Sequence, residues 1–296
     1  MPGRGSYGAS QVVTMQNPHR KTSIGRIRIG TWNVRTMLRP GKLETVKREM
    51  KRQNLDILGL SEVRWEDSGD FFSDEFRVIY SCGTKGKNGV AFILGEKVKN
   101  SVERIECKGD RILMIKIKSD PMDMMIFQVY MPTGDYDDEE VEEIYDQIED
   151  VIENDKTKKC LIVMGDWNAS VGEGGDGKFV GKFGLGNRNE RGERLVEFAT
   201  KHQLIVGNTW FKQSKRRLYT WKMPGDIGRY QIDYILIQSR FRNAVKKIQT
   251  YPGADADSDH NLLTADIVMK LKKSFESQKN KKMEFGKAKW KYWIKF

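Results

Sequence analysis

Residues 161–169 read LIVMGDWNA, and the fold turns on what this stretch is. Leu161–Met164 form a short apolar run rich in branched side chains, the pattern of a buried strand. Gly165 closes it, and Asp166-Trp167-Asn168 follows at once. In extended backbone, side chains two apart share a face. Asp166 and Asn168 therefore project together, while Trp167 packs the other way. Asp and Asn are also ordinary turn formers, so on its own the stretch fits a turn and a chemical site equally.

Working outward, other strands also end on polar residues. Arg26–Gly30 alternates basic and apolar residues and runs into TWNVR (31–35), placing Asn33 just past a strand end. Leu43, Val46 and Met50 lie at helical spacing within Gly41–Asn54, an amphipathic helix. LDILGLSE (55–62) then reads as a buried strand that delivers Glu62. GVAFIL (89–94), ILMIKIK (112–118) and MDMMIFQVY (122–130) suggest antiparallel neighbours, the last ending at Tyr130 before Met131-Pro132-Thr133. Pro132 stops that strand. Val141, Ile144, Tyr145, Ile148 and Ile152 mark a second helix, and Leu195, Phe198 and Ala199 a third over Glu190–His202.

Downstream, LIVGNTW (204–210), RRLYTW (216–221), QIDYILI (231–237) and NLLTADIVM (261–269) read as strands. Ala256-Asp257-Ser258-Asp259-His260-Asn261 sits immediately before the last. His260 is one of only three histidines; His19 and His202 read as ordinary satisfied groups, whereas His260 has Asp259 beside it and Asp233 on a strand that could be adjacent. The glycine-rich segment 171–187 contains a GxGxxG at Gly172, Gly174 and Gly177. A dinucleotide site is excluded there, because no helical pattern follows and Glu173 and Asp176 would repel a pyrophosphate.

Composition bounds the class. With 38% hydrophobic residues, seven Trp and ten Tyr, the chain is too apolar for a disordered protein and suits a packed enzyme. No 18-residue apolar run is present, so no membrane partner is expected. The first residues lack the apolar core of a secretory signal, and three scattered cysteines fit a reducing compartment better than disulfides or a zinc site. The expected location is intracellular and, for a protein acting on DNA, nuclear. The net charge of +11 is carried by the ends. Residues 1–28 hold five basic residues and no acid, and residues 270–296 hold ten lysines against two glutamates, which leaves the body at −2. Residues 135–155 contain twelve acids and no base, read as the solvated face of the second helix. The expected organisation is a flexible basic arm (1–25), one domain (26–269) and a Lys-rich tail (270–296). The tail's interleaved Lys and aromatics could bind nucleic acid or an anionic membrane, but the loss of periodicity favours unpacked chain beyond a domain.

Asn33, Glu62, Tyr130, Asp166, Asn168, Asp233, Asp259 and His260 thus stand at or beside strand ends across the body. No Cys/His cluster, GxSxG elbow or phosphate-binding GxxxxGK[ST] loop competes with them. Oxygen ligands with a single histidine suit a hard cation such as Mg²⁺, with Mn²⁺ as a substitute. The chemistry that uses such a set is phosphoester hydrolysis.

TWNVR, LSEVRW, VYMPT, GDWNA, QIDYIL and SDHN occur here in the order and spacing of the endonuclease/exonuclease/phosphatase superfamily. PGKLETVKREM, GKFGLGNRNERGERLVEF, RRLYTW and PGADADSDH extend the resemblance to the apurinic-endonuclease-like domain of LINE-type (RTE/BovB) non-LTR retrotransposons and to the craniofacial development protein 2 group derived from such elements. The resemblance implies a four-layered α/β sandwich, two packed and mainly antiparallel sheets flanked by helices. Trp167 would then face into the sandwich and hold its strand end rigid. The resemblance further implies Glu62, Asn33 and Asp259 at the metal, Asp166 as water activator and Asn168 as its partner. His260 would donate to the phosphate, oriented by Asp233; Tyr130 would bond the phosphate, with Thr133 and Ser258 near the substrate. Arg35 stands where many abasic-site endonucleases carry an acid, which argues against abasic-site specificity and for an added phosphate contact. No reverse transcriptase region follows, so a truncated or domesticated copy is expected. The implied activity is Mg²⁺-dependent DNA nicking by a monomer with DNA as partner and no small-molecule cofactor. The alternatives are the same chemistry on RNA or small phosphoesters, and a non-catalytic nucleic-acid- or chromatin-binding protein.

Overall fold

The structure, a computed structural model, describes residues 11–14, 22–23, 25–83 and 86–269. Two seven-stranded sheets lie face to face. One runs Val245–Tyr251, Leu262–Val268, Arg26–Asn33, Ile57–Ser61, Val90–Leu94, Phe76–Ser81, Ser68–Ser73 in spatial order. The other runs Gln11–Thr14, Val102–Lys108, Ile112–Ile117, Asp123–Tyr130, Lys159–Asp166, Asp233–Gln238, Leu204–Val206. Each sheet is mixed, with one parallel pair: Arg26–Asn33 beside Ile57–Ser61, and Asp123–Tyr130 beside Lys159–Asp166. A parallel pair needs a crossover, and helices α1 (Lys42–Arg52) and α2 (Asp138–Asn154) supply the two crossovers. A third helix, α3 (Glu190–Lys201), packs beside α2 on the outer face of the second sheet.

Strand periodicity sorts the side chains into layers. In Lys159–Asp166, Cys160, Ile162 and Met164 join the core between the sheets, while Leu161 and Val163 join the core under α2 and α3. Both faces are buried, so the run reads as continuously apolar rather than alternating. Ile27 and Ile29 likewise enter the inter-sheet core, as does Ile57, while Trp32, Leu58 and Leu60 pack under α1 with Val46 and Met50. The same parity, carried to each strand end, aims Asn33, Tyr130, Asp166 and Asp233 into the space between the sheets.

Trp167 belongs to the opposite parity. It is buried between the second sheet and the helices, with its ring 6.1 Å from Tyr145 and 5.9 Å from Phe198. The expectation that it faces into the sandwich is corrected: it anchors the strand end to the helical layer. A polar bridge instead holds the sheets together just below the strand ends. Gln128 is fully buried and exchanges hydrogen bonds with Thr31 Oγ1 (3.1 and 3.0 Å) and donates to Ser61 Oγ (2.9 Å). Gly59 makes room for it, since a Cβ there would lie 1.9 Å from Gln128 Oε1.

The acidic run is only partly a solvated face. Glu142 takes a bidentate bond from Arg194, and Glu149, nearly buried, accepts from Lys201 and His202, so α2's acids strap α3 onto it. His202 is a satisfied group, as expected. Two short strands, Gln11–Thr14 and Thr22–Ser23, fall where residues 1–25 show no periodicity. RRLYTW is corrected: Lys215–Arg217 is a 3₁₀ turn, and only Trp221–Lys222 is strand. LIVGNTW is strand only to Val206 and then turns as 3₁₀ helix over Gly207–Trp210. Strands Ser68–Ser73, Phe76–Ser81, Val102–Lys108 and Val245–Tyr251 carry charged or exposed residues that masked their period. The Lys-rich tail, 270–296, lies outside the described residues. Among the described residues no helix is long and apolar enough to cross a membrane.

Candidate active site

The two parallel pairs both end at the same edge, with Asn33 beside Ser61 in one sheet and Tyr130 beside Asp166 in the other. Antiparallel neighbours bring their starting residues to that edge: Asp233 pairs with Asp166, and His260 precedes the strand whose Leu263 pairs with Thr31. Six polar side chains that are far apart in sequence therefore meet over the inter-sheet core.

They form one hydrogen-bonded line. Asn33 Nδ2 donates to Glu62 Oε1 (2.8 Å) and to Asp166 Oδ2 (2.9 Å). Tyr130 OH donates to Glu62 Oε1 at 3.2 Å, and Arg64 Nη2 to Glu62 Oε2 at 2.6 Å. Asp166 Oδ1 accepts the amide of Asn168 (3.1 Å), whose own Nδ2 donates to the Met131 carbonyl (2.8 Å). On the far side, His260 Nε2 stands 3.9 Å from Asp166 Oδ2, and its Nδ1 bonds Asp233 Oδ2 at 2.9 Å. Asp233 is itself fixed through its backbone, its N–H donating to Thr220 Oγ1 and its carbonyl accepting from Asn208.

The backbone is bent to achieve this. Glu62 (φ 56°), Arg64 (φ 61°), Arg35 (φ 57°) and Asn168 (φ 46°) all adopt the left-handed region. Such conformations disfavour non-glycine residues and concentrate at functional sites. Gly165 is required for a different reason: at φ 153° a Cβ would lie 2.0 Å from the Val129 carbonyl oxygen of the parallel partner strand.

Burial dominates the electrostatics. It raises the Asp166 carboxyl well above the usual carboxylate range, with Asp233 adding to the effect and His260 and the Asn33 bond opposing it. For His260, burial works against the charged ring, but Asp233 and Asp166 outweigh it and raise the imidazole. Burial, then Glu62 and Asp166, raises the Tyr130 phenol, which stays a protonated donor. A carboxylate held near its neutral form beside a charged imidazole is suited to taking a proton from water.

The donor set fits a hard cation. Carboxylate oxygens dominate it, and two of them, Asp233 Oδ1 and Asp259 Oδ1, are buried with no hydrogen-bond partner. The tightest group of ligand atoms among the described residues is Asp166, Asp233 and His260, all within 4.8 Å. That group is not the Glu62, Asn33 and Asp259 set that the sequence suggests. Asn33 bonds Glu62, but its carbonyl oxygen accepts the Arg35 amide at 3.0 Å and its NH₂ bridges the two carboxylates. Asp259 joins through Arg35, whose Nε lies 3.7 Å from Asp259 Oδ1. Ser258 spends its hydroxyl inside the protein, donating to the Asn33 carbonyl (2.7 Å) and accepting the His260 amide (3.1 Å). Thr133 makes no side-chain bond to the cluster; its carbonyl accepts from Tyr136.

A model of the endonuclease/exonuclease/phosphatase family matches residues 30–260, the span that contains every one of these strand ends. The chain belongs to this family. It is 44% identical over 246 residues to craniofacial development protein 2 of Bos taurus and 43% to that of Tragulus javanicus, each alignment covering 82% of this chain. The chain spans about two fifths of the length of these curated relatives (41% and 42%). Among solved structures, it resembles an AP endonuclease of Leishmania major (TM-score 0.63, 14% identity, 83% of this chain and 88% of that one). It also resembles the endonuclease domain of TRAS1, a telomere-specific non-LTR retrotransposon (TM-score 0.57, 13% identity, 82% and 100% coverage being 82% of this chain and 98% of that one). At these identities the likeness is one of fold: two mixed sheets flanked by helices in the family's α/β sandwich.

Family motifs did not draw attention to every contact. Arg64, two residues past Glu62 in LSEVRW, holds the carboxylate directly. Trp221, the last residue of RRLYTW, donates its indole N–H to Asp259 Oδ2 at 3.1 Å. Arg111 lies over the Tyr130 ring (5.0 Å) and donates to its carbonyl (3.2 Å). Each motif was visible, but which side chain turns inward depends on a positive φ or a ring contact that no spacing encodes. Because Asp233 fixes the imidazole through Nδ1, Asp233→Asn should lower phosphodiester hydrolysis by about 10- to 100-fold while leaving the melting temperature nearly unchanged. Steady-state nicking rates paired with thermal denaturation check this.

Proposed function

We propose that this chain is a Mg²⁺-dependent phosphodiesterase that nicks DNA and leaves a 3′-hydroxyl. The observation that carries the reading is the continuous line Tyr130–Glu62–Asn33–Asp166, closed by His260 and Asp233. The titles of structural neighbours support the substrate class: one is a retrotransposon endonuclease domain, and another is a Neisseria 3′ phosphatase bound to a product DNA hairpin. DNA as partner, a monomeric state and action in the nucleus are parts of the same reading.

Glu62, Asn33 and Asp259 would hold the ion, which when bound supplies a Lewis acid at the phosphoryl oxygen. Asp166 takes the proton of the attacking water, and its raised affinity for protons near neutrality suits that step. Asn168, pinned to Met131, keeps Asp166 in orientation. The water oxygen bonds to phosphorus and the P–O3′ bond breaks. His260, charged and steered by Asp233, donates to the phosphoryl oxygen where negative charge accumulates.

The test is a supercoiled plasmid incubated with the purified chain. Conversion to the nicked circle is expected with Mg²⁺ and not with excess EDTA, and the nick should be extendable by a DNA polymerase, which requires a 3′-hydroxyl. A chain that binds the plasmid without nicking it, with Mg²⁺ or Mn²⁺, would overturn the reading in favour of a nucleic-acid-binding role. Preferential hydrolysis of RNA or of small phosphoesters would redirect the substrate.

A further inference from the structure

Two carboxylates assigned to the ion differ in how they are balanced. Around Glu62 and Asp166, joined by Asn33, stand the acids Glu62, Asp166 and Asp233 and the cations Arg64 and His260. One negative charge is left over. Asp259 has no such surplus. Its Oδ2 accepts from Trp221, and its buried Oδ1 has no hydrogen bond and faces the Arg35 guanidinium, with Nε at 3.7 Å. Neither Glu62 nor Asp259 belongs to any group of three potential ligands within 4.8 Å among the described residues.

Arg35 is held there by the chain itself. Its backbone is left-handed (φ 57°), and its amide donates to Asn33 Oδ1. Ser258, next to Asp259, is bonded to the Asn33 carbonyl, so the two loops that carry Arg35 and Asp259 share one strand end. The Arg35 side chain is nevertheless 60% exposed, leaving guanidinium N–H groups free to meet solvent-borne anions.

Resting on the proposed function, we propose that Arg35 is a built-in second cation. It neutralises Asp259 where a second divalent ion would otherwise bind, so the site loads one ion, on the Glu62 side. The exposed N–H groups of Arg35 then serve a phosphate oxygen of the substrate, the geometry for which a guanidinium is suited. A guanidinium keeps its charge at every relevant pH, so this arrangement gives one-ion loading that concentration of metal does not change.

The experiment is a Mn²⁺ titration of the full chain, with free Mn²⁺ read by electron paramagnetic resonance. Wild type is expected to bind one ion. Arg35→Asp should bind two, because it removes a cation and adds a ligand beside Asp259. Asp adopts φ > 0 more readily than most residues, so the backbone tolerates the change. Arg35→Asn, equally tolerant, should stay at one tight ion, and Arg35→Asp with Asp259→Asn should return to one. Two equivalent ions in wild type, or an Arg35→Asp chain that binds no more than wild type, would overturn the inference alone. Binding of no ion by wild type would overturn the metal-dependent function along with it, and plasmid nicking separates the two failures.

Discussion

Asp166→Asn is expected to slow plasmid nicking by ~10²- to 10⁴-fold, the range for loss of a positioned general base. The substitution keeps the side chain's shape and its place beside Asn33, Asn168 and His260, so folding and metal loading should change little. What is lost is the oxygen that accepts the proton of water. The buried setting makes this oxygen unusual: desolvation and Asp233 raise its proton affinity, and His260 at 3.9 Å keeps a positive charge close by. Single-turnover nicking with Mg²⁺ at saturating enzyme isolates the chemical step. A rate within threefold of wild type would show that water is activated elsewhere. If binding to plasmid DNA stays constant while the rate falls, the loss lies in the transition state rather than in substrate affinity.

Trp167→Ala should destabilise the fold by ~3–5 kcal/mol, the cost of truncating a large aromatic residue in a packed core. The ring is fully buried and contacts Tyr145 and Phe198, which themselves lie 5.2 Å apart. Removing it opens a cavity where α2, α3 and the Lys159–Asp166 strand meet. Urea unfolding followed by circular dichroism measures the change. Trp167→Phe is the informative comparison, expected to cost only about 1–2 kcal/mol. The indole N–H is buried without a hydrogen-bond partner, so the phenyl ring forfeits no polar contact. Equal losses for the two variants would mean that the indole N–H matters more than ring packing. Since Trp167 neighbours Asp166, the Ala variant should also lower the nicking rate, by loosening the strand end that presents the base.

The adjacent residues in these two predictions act in opposite directions, and the sequence shows why. Period-two alternation along a strand puts Asp166 and Trp167 on opposite faces whatever the fold. The succession of apolar runs ending in Asn33, Glu62, Tyr130, Asp166 and Asp233 was equally legible, as were all three helices, because each has an uninterrupted apolar period. Strands such as Val245–Tyr251 and Val102–Lys108 were not, because their Lys, Glu and Arg residues line partly exposed edges. Alternation named the two faces of the GDWNA strand but not what covers each. Helices cover the Trp167 face and the second sheet covers the other, an outcome of three-dimensional packing.

By itself the sequence determined which residues are polar at strand ends, which helices exist and which face each strand side chain takes. These follow from local backbone geometry and hydrophobic period. Only the tertiary structure decided that the ends of two parallel pairs share one edge, that Gln128 ties the sheets beneath it, and that Arg35 meets Asp259 while Arg64 meets Glu62. Those contacts join residues up to 228 positions apart through crossovers and left-handed turns. Their partners are fixed by the packing of two sheets, a long-range constraint that no local pattern of residues records.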